Sequence, residues 1–380
     1  MLTIHVGLHK TGSTALQKGL ASLGPRTSPN IYYRGNFSAA ANDGFFRPGF
    51  GFHVPPDANR TRTVRLLGSG RSVVLSHEGF LGSAYQPRPG AMYSGALTLV
   101  ESIRNYFEEL TPFQLVVYLR PQHQWLESVY NQYVKGQFQY GNGQLTPGAV
   151  SPTVFAETLM NAPYFRWSRL VADLRRQLGA ERLIVRAYQP HVDIATDFFS
   201  ILGVSTPESL LERPRENTAL TAERIAVLEW LTAHFEQTGG RNLAWLVQSV
   251  SHAGHRTRLV KYSPFSEAIQ YRLKEMTTTD WQELYADLDS SPHSRSPDFL
   301  QIARESEREE IKPPADLIGD SELSQEALHL LADSLVYLRS HPRLRFADSK
   351  RRAMQIRDLA LSGPLDVPTV ASRFLRSLTK

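Results

Sequence analysis

An apolar run, a glycine-bounded loop and a helical stripe follow one another within the first 23 residues. That order constrains the fold more than any other feature of the chain. The segment LTIHVGL (residues 2–8) suits a buried strand. In STALQKGLASLG, Leu16, Leu20 and Leu23 stand at i, i+4 and i+7, a helical stripe that stops near Gly24-Pro25. Between them lies GLHKTGST, spaced G-x-x-K-x-G-S-T by Gly7, Lys10 and Gly12. An ATP-handling loop reads G-x-x-x-x-G-K-[ST], with its lysine beside the last glycine. The glycines let the backbone turn and come close to an oxygen. Successive backbone N–H groups and a helix N-terminus suit an anion. Ser13 and Thr14 add hydroxyls and Lys10 adds a point charge. The alternative is a tight strand-to-helix turn with an incidental lysine.

The same alternation continues along the chain. NIYYRG, RSVVLSHEG, FQLVVYLR and RLIVRAY read as strands, and residues 35–70, rich in Gly, Pro, Asn and Arg, read mainly as loop. ALTLVESIRNYFEEL, YFRWSRLVADLRRQLG and DIATDFFSILGV read as helices. QHQWLESVYNQYVK joins them, with Trp125, Val129 and Tyr133 at spacing four. Strands alternating with helices predict an α/β fold: a P-loop-like parallel β-sheet flanked by helices. From about residue 221 only helical patterns remain, including TAERIAVLEWLTAHFE, SEAIQYRLKEM and SELSQEALHLLADSLVYLRS. The C-terminal region is therefore expected to be mainly helical. The expected organisation is an α/β domain over residues 1–289, a Ser/Pro- and charge-rich linker or mobile segment over 290–320, and a helical extension with a basic tail over 321–380.

Charge is unevenly spread. The chain carries a net +5, yet residues 341–380 alone hold nine Lys or Arg against three Asp. The basic character thus belongs to the tail, either a solvated helix pair or a surface for an anionic polymer or membrane. Nothing suggests a nucleic-acid partner. There is no cysteine, which excludes disulfides and thiolate sites. No apolar run reaches membrane-spanning length, and no basic-then-apolar leader opens the sequence. A cytoplasmic location is expected.

In an open parallel sheet, ligands bind at the carboxyl ends of the strands. The glycine loop is one group placed there. Arg120 ends LVVYLR, and Ser128 follows eight residues later, about two turns into a helix begun after Pro121. An arginine fork and a hydroxyl there suit a second phosphate. His77-Glu78 follows VVLS, where an imidazole or carboxylate can take a proton from a hydroxyl. A solvated Arg120 and a surface Glu-Gly turn are the bland alternatives. P-loop NTPases hold Mg²⁺ partly with an aspartate at the end of a second strand. Here FQLVVYLR ends in arginine, and only Glu78 stands in a comparable place, which points toward metal-free transfer.

These residues resemble the sulfotransferase superfamily that uses 3′-phosphoadenosine 5′-phosphosulfate (PAPS). GLHKTGST resembles its 5′-phosphosulfate loop, and YLRPQHQWLESVYNQYVK its 3′-phosphate segment. LSHEG resembles the Ser-Glu pair of bacterial carbohydrate-type members, and RENTALTAE a later element of that group. The resemblance covers roughly residues 2–285 and implies a role for each group. Lys10 would contact the bridging oxygen that departs with the nucleotide. His9, Thr11, Gly12, Ser13 and Thr14 would line the 5′-phosphate, and Arg120 with Ser128 the 3′-phosphate. Glu78 or the adjacent His77 would accept the acceptor's proton. Residues leaving a strand in succession point to opposite sides, which favours one of the two, and the carbohydrate-type pattern favours Glu78. No metal is expected. A carbohydrate hydroxyl is the expected acceptor, with Phe46, Phe52, His53 and Tyr85 as candidates to frame it. A P-loop kinase or NTPase and a non-catalytic binder of anionic glycans are the competing readings.

Overall fold

The strands of the main sheet are short, mainly apolar runs. The computed structural model describes residues 1–22, 31–35, 46–47, 51–52, 57–82, 84, 92–107, 112–140, 151–188, 193–206, 263–288 and 298–311. In chain order the elements are β1 (Leu2–Val6), α1 (Ser13–Ser22), β2 (Ile31–Gly35), β3 (Phe46–Arg47), β4 (Gly51–Phe52), α2 (Asp57–Gly68), β5 (Ser72–His77) and α3 (Ala96–Phe107). Then come β6 (Phe113–Leu119), α4 (Gln122–Tyr140), α5 (Pro152–Met160), α6 (Trp167–Leu178), β7 (Leu183–Ala187), α7 (Ile194–Ile201), α8 (Glu267–Leu288) and α9 (Asp298–Arg308).

Five strands form one parallel sheet in the order β2-β5-β1-β6-β7. The chain builds outward from β1 to one edge, returns through β5, then crosses to β6 and β7. The strand order therefore reverses direction at β1, where an open parallel sheet leaves a crevice beyond its carboxyl ends. Tyr33, Val74, Val116, Tyr118 and Ile184 project from one face onto Leu16 and Leu20 of α1 and Ile194, Phe198 and Phe199 of α7. Alternate residues point the other way. Leu2, Ile4, Val6, Leu75, Leu115, Val117 and Val185 are buried there just as deeply, so both faces are covered. The fold class expected from the sequence is the one observed.

The α1-side face carries polar residues under the loop, and they bond to one another. His5 Nδ1 lies 2.7 Å from Ser76 Oγ, to which Gln17 Nε2 also donates at 3.3 Å. Gln114 Nε2 donates to Thr3 Oγ1 at 2.9 Å. Burial lowers the His5 pKa to about 3, so the imidazole is neutral in the folded chain.

Three stretches differ from expectation. Residues 35–70, read mainly as loop, contain the β3–β4 pair, with Phe46 opposite Phe52, and the helix α2. The sequence of α2, DANRTRTVRLLG, has no apolar stripe to announce it, and Leu66 and Leu67 are only half-buried. The 290–320 stretch, expected as a linker, contains α9. Phe299, Ile302, Ala303 and Ser306 are buried at i, i+3, i+4 and i+7, and the Phe299 ring lies 5.4 Å from that of Trp281. Finally, α5 buries Phe155, Ala156, Leu159 and Met160, a helix the spacing did not single out.

The helix pattern SEAIQYRLKEM runs on to Leu288 as α8. Its buried Asp280 receives the Trp167 and Ser168 backbone N–H groups, the Ser168 hydroxyl and Gln122 Nε2. Those N–H groups open α6, whose own N-cap residue, Arg166, makes no side-chain cap. Thus α8 caps α6 and ties down the start of α4.

Two compact units divide the chain: residues 1–129, 154–218 and 268–310, and residues 130–153, 219–267 and 311–380. The sheet belongs to the first. Within the second, the Tyr130 ring lies 5.8 Å from Phe265. The patterns at 221–236 and 321–340, the RENTALTAE element, His53, Tyr85 and the basic tail lie outside the described residues.

Candidate functional site

The loop after β1 folds against its own backbone preferences. Lys10 has φ 67° and Gly12 φ 80°, both left-handed. For lysine that conformation costs about 1 kcal/mol. Three donors hold it in place by taking successive carbonyls. Thr11 Oγ1 donates to Leu8 O at 2.6 Å, Trp125 Nε1 to His9 O at 2.8 Å, and Arg120 Nη1 to Lys10 O at 3.1 Å. A trans peptide sets its N–H opposite its carbonyl. The Lys10 and Thr11 N–H groups are therefore turned away from Trp125 and Arg120. Gly7 is required at the loop's start. A Cβ there would sit 2.9 Å from Ser13 Cβ and 3.1 Å from His5 Cε1.

Arg120 leaves β6 beside this loop. Its Nη1 also donates to Ser128 Oγ at 2.8 Å, so the eight-residue spacing closes as a contact. Trp167 Nε1 donates to Arg120 O at 2.7 Å. The Tyr188 ring, just past β7, lies 5.4 Å from the guanidinium, and its edge is 3.2 Å from where a Gly12 Cβ would stand. Burial lowers the Arg120 pKa, opposed by Tyr188, Glu127 and Glu309. A guanidinium keeps its charge regardless. Its Nε is buried and has no hydrogen-bond partner among the described residues. A buried N–H left in that state is a donor for something else.

His77 and Glu78 part as the pleat requires. Ser76 faces α1, and Glu78 follows it to that side. Ser13 Oγ donates to Glu78 Oε2 at 3.0 Å. His77 Nδ1 instead accepts the Gly79 N–H at 2.9 Å, and its ring meets Phe80 edge to face. Burial lowers the His77 pKa, with Glu78 opposing.

His9 is buried beside Tyr93. Its N–H donates to Tyr93 Oη at 3.2 Å, and its Nδ1 lies 3.3 Å from the same oxygen. Burial lowers its pKa to about 4 against the pull of Glu78, so it is neutral at physiological pH. Tyr93 itself has φ 51°, and burial raises its phenol pKa strongly.

The structure thus brings His9, Lys10, Thr11, Gly12, Ser13, Glu78, Arg120 and Ser128 to neighbouring strand ends, with Thr14 in the first turn of α1. His77 lies beside them but on the other side of β5. Sequence reasoning missed Tyr93, Trp125, Trp167 and Tyr188 as loop braces. The stripe announced Trp125 as apolar, but an indole N–H reaching a carbonyl 116 residues away leaves no local signal. Among the described residues no group of three or more His, Cys, Asp or Glu is placed to hold a metal ion. Nor is any described helix long and apolar enough to cross a membrane.

These features define an α/β protein with an anion-suited loop at the switch point of its sheet and a second cation one hydrogen bond away. No family model matches the chain, and no curated protein does. Among solved structures, it is similar to a sulfotransferase from Alicyclobacillus acidocaldarius. The identity is 15% and the TM-score 0.37, covering 78% of this chain and 97% of that one.

Proposed function

We propose that the chain is a PAPS-dependent sulfotransferase acting on an acceptor hydroxyl, with a carbohydrate as the acceptor class. One observation carries this reading: Arg120 Nη1 bonds both Lys10 O and Ser128 Oγ. Two anion-suited groups, each with its own cation, are thereby held side by side. A ligand phosphorylated at both ends of one nucleoside meets that arrangement. The buried, unpartnered Arg120 Nε and the loop carbonyls already engaged by Thr11, Trp125 and Arg120 support such a ligand.

In this reading the acceptor oxygen attacks sulfur in line, and its proton passes to Glu78. The S–O bond to the bridging oxygen breaks, and that oxygen leaves with adenosine 3′,5′-bisphosphate. Lys10 offsets the charge growing on it, a transition-state contribution rather than a ground-state one. His77, committed to Gly79 N–H, is less suited to be the base. Calorimetry without metal tests the reading. Adenosine 3′,5′-bisphosphate should bind well and 5′-AMP weakly; equal affinities would remove the role given to Arg120 and Ser128.

A second reading has one observation in its favour. A loop hydroxyl on an acid from the adjacent strand, as in Ser13–Glu78, is also where NTPases seat Mg²⁺. It predicts ATP binding that requires Mg²⁺, read in the same instrument.

A further inference from the structure

The Ser13–Glu78 contact sets two proposed roles against each other. Ser13 is 2% exposed and has one hydroxyl proton, which it gives to Glu78 Oε2 at 3.0 Å. A donor phosphate seated at the start of α1 needs that same proton. Hydroxyl O–H cannot serve both acceptors, and a carboxylate beside a phosphate is repelled. Glu78 follows β5, beyond its last residue His77, so its side chain can swing without breaking the sheet.

We infer that Glu78 is a latch displaced by the donor: its carboxylate holds Ser13 until a phosphate takes that hydroxyl, and only then turns toward the acceptor. This inference rests on the sulfotransferase reading and adds an order to it. Donor binding comes first, because the base is engaged until the phosphate arrives. The latch also lowers donor affinity, since each binding event must break the Ser13–Glu78 bond.

The test is the affinity of adenosine 3′,5′-bisphosphate for the full chain, by calorimetry in EDTA. Glu78→Ala should bind it about ten-fold more tightly than the unaltered protein, and Glu78→Gln, whose amide oxygen can still accept from Ser13, more tightly by a smaller factor, although both lose turnover. The gain should be clearly smaller in a Ser13→Ala background, because the bond to be broken is already gone and only charge repulsion remains. Unchanged or weaker binding in both Glu78 variants overturns the latch. An equal gain with Ser13→Ala also overturns it, leaving only general charge repulsion. Weaker binding seen only with Mg²⁺ would overturn it in favour of the shared-ion reading. Failure of the unaltered chain to bind the bisphosphate removes the underlying reading, and the latch with it. Affinity that is present but insensitive to Glu78 removes the latch alone.

Discussion

The two halves of the candidate site are built in opposite ways. The loop half is local: Gly7, Lys10, Gly12 and Ser13 lie within seven residues, and Thr11 closes the loop on Leu8. The Arg120 half is assembled from afar. Arg120 is fixed by Ser128, by Trp167 at its carbonyl and by the Tyr188 ring. Ser128 rides on α4, whose first residue, Gln122, is gripped by Asp280 of α8. A short motif can therefore announce one half, while the other depends on docking between distant helices. Arg120 joins them through Lys10 O.

Breaking the local half should produce the largest effect. Lys10→Ala is expected to lower single-turnover sulfuryl transfer by about 10³-fold, with a much smaller change in bisphosphate affinity. Comparable losses in both would move Lys10 from the transition state to ground-state binding. The distant half is next. Asp280→Ala strands the N–H groups that open α6 and should cost about 3 kcal/mol in denaturant unfolding. It should also weaken discrimination between the bisphosphate and 5′-AMP, because Trp167 and α4 lose their anchor. A stability loss with discrimination intact would show that α4 holds its place unaided.

Arg120→Lys is expected to reduce that discrimination about ten-fold, since a point charge cannot bond Lys10 O, Ser128 and a phosphate in one plane. The smallest effect concerns the layer beneath the loop. His5 stays neutral in the folded chain with its pKa lowered to about 3, and titrates near 6.5 when unfolded. The unfolded state thus binds the extra proton, and stability present above about pH 6.5 is lost as the pH falls toward 3. His5→Gln should flatten the stability–pH slope between pH 6 and 5 by about 1 kcal/mol per unit. An unchanged slope would assign acid sensitivity to His9 or elsewhere.

Much of this architecture was legible because core strands must be apolar and their covering helices striped. β1, β5, β6 and β7 show their burial in sequence, and Leu16 and Leu20 fall on the buried face the periodicity predicts. What escaped did so for physical reasons. In α2 the sequence carries no stripe, and its Leu66 and Leu67 are only half-buried. The stripe of α9 was hidden by the serine, proline and charge around it. The choice between His77 and Glu78 could be posed from the pleat but not resolved by it alone. It took the position of α1 to show which neighbour each side chain meets.

By itself, then, the amino-acid order determined a strand, a glycine-bounded turn and a helix at residues 2–22, because steric and hydrophobic rules act over a few residues. Tertiary structure alone decided that Trp125 and Arg120 take the carbonyls of His9 and Lys10. Such bonds join residues more than a hundred positions apart, and neither partner's local sequence carries a trace of the other.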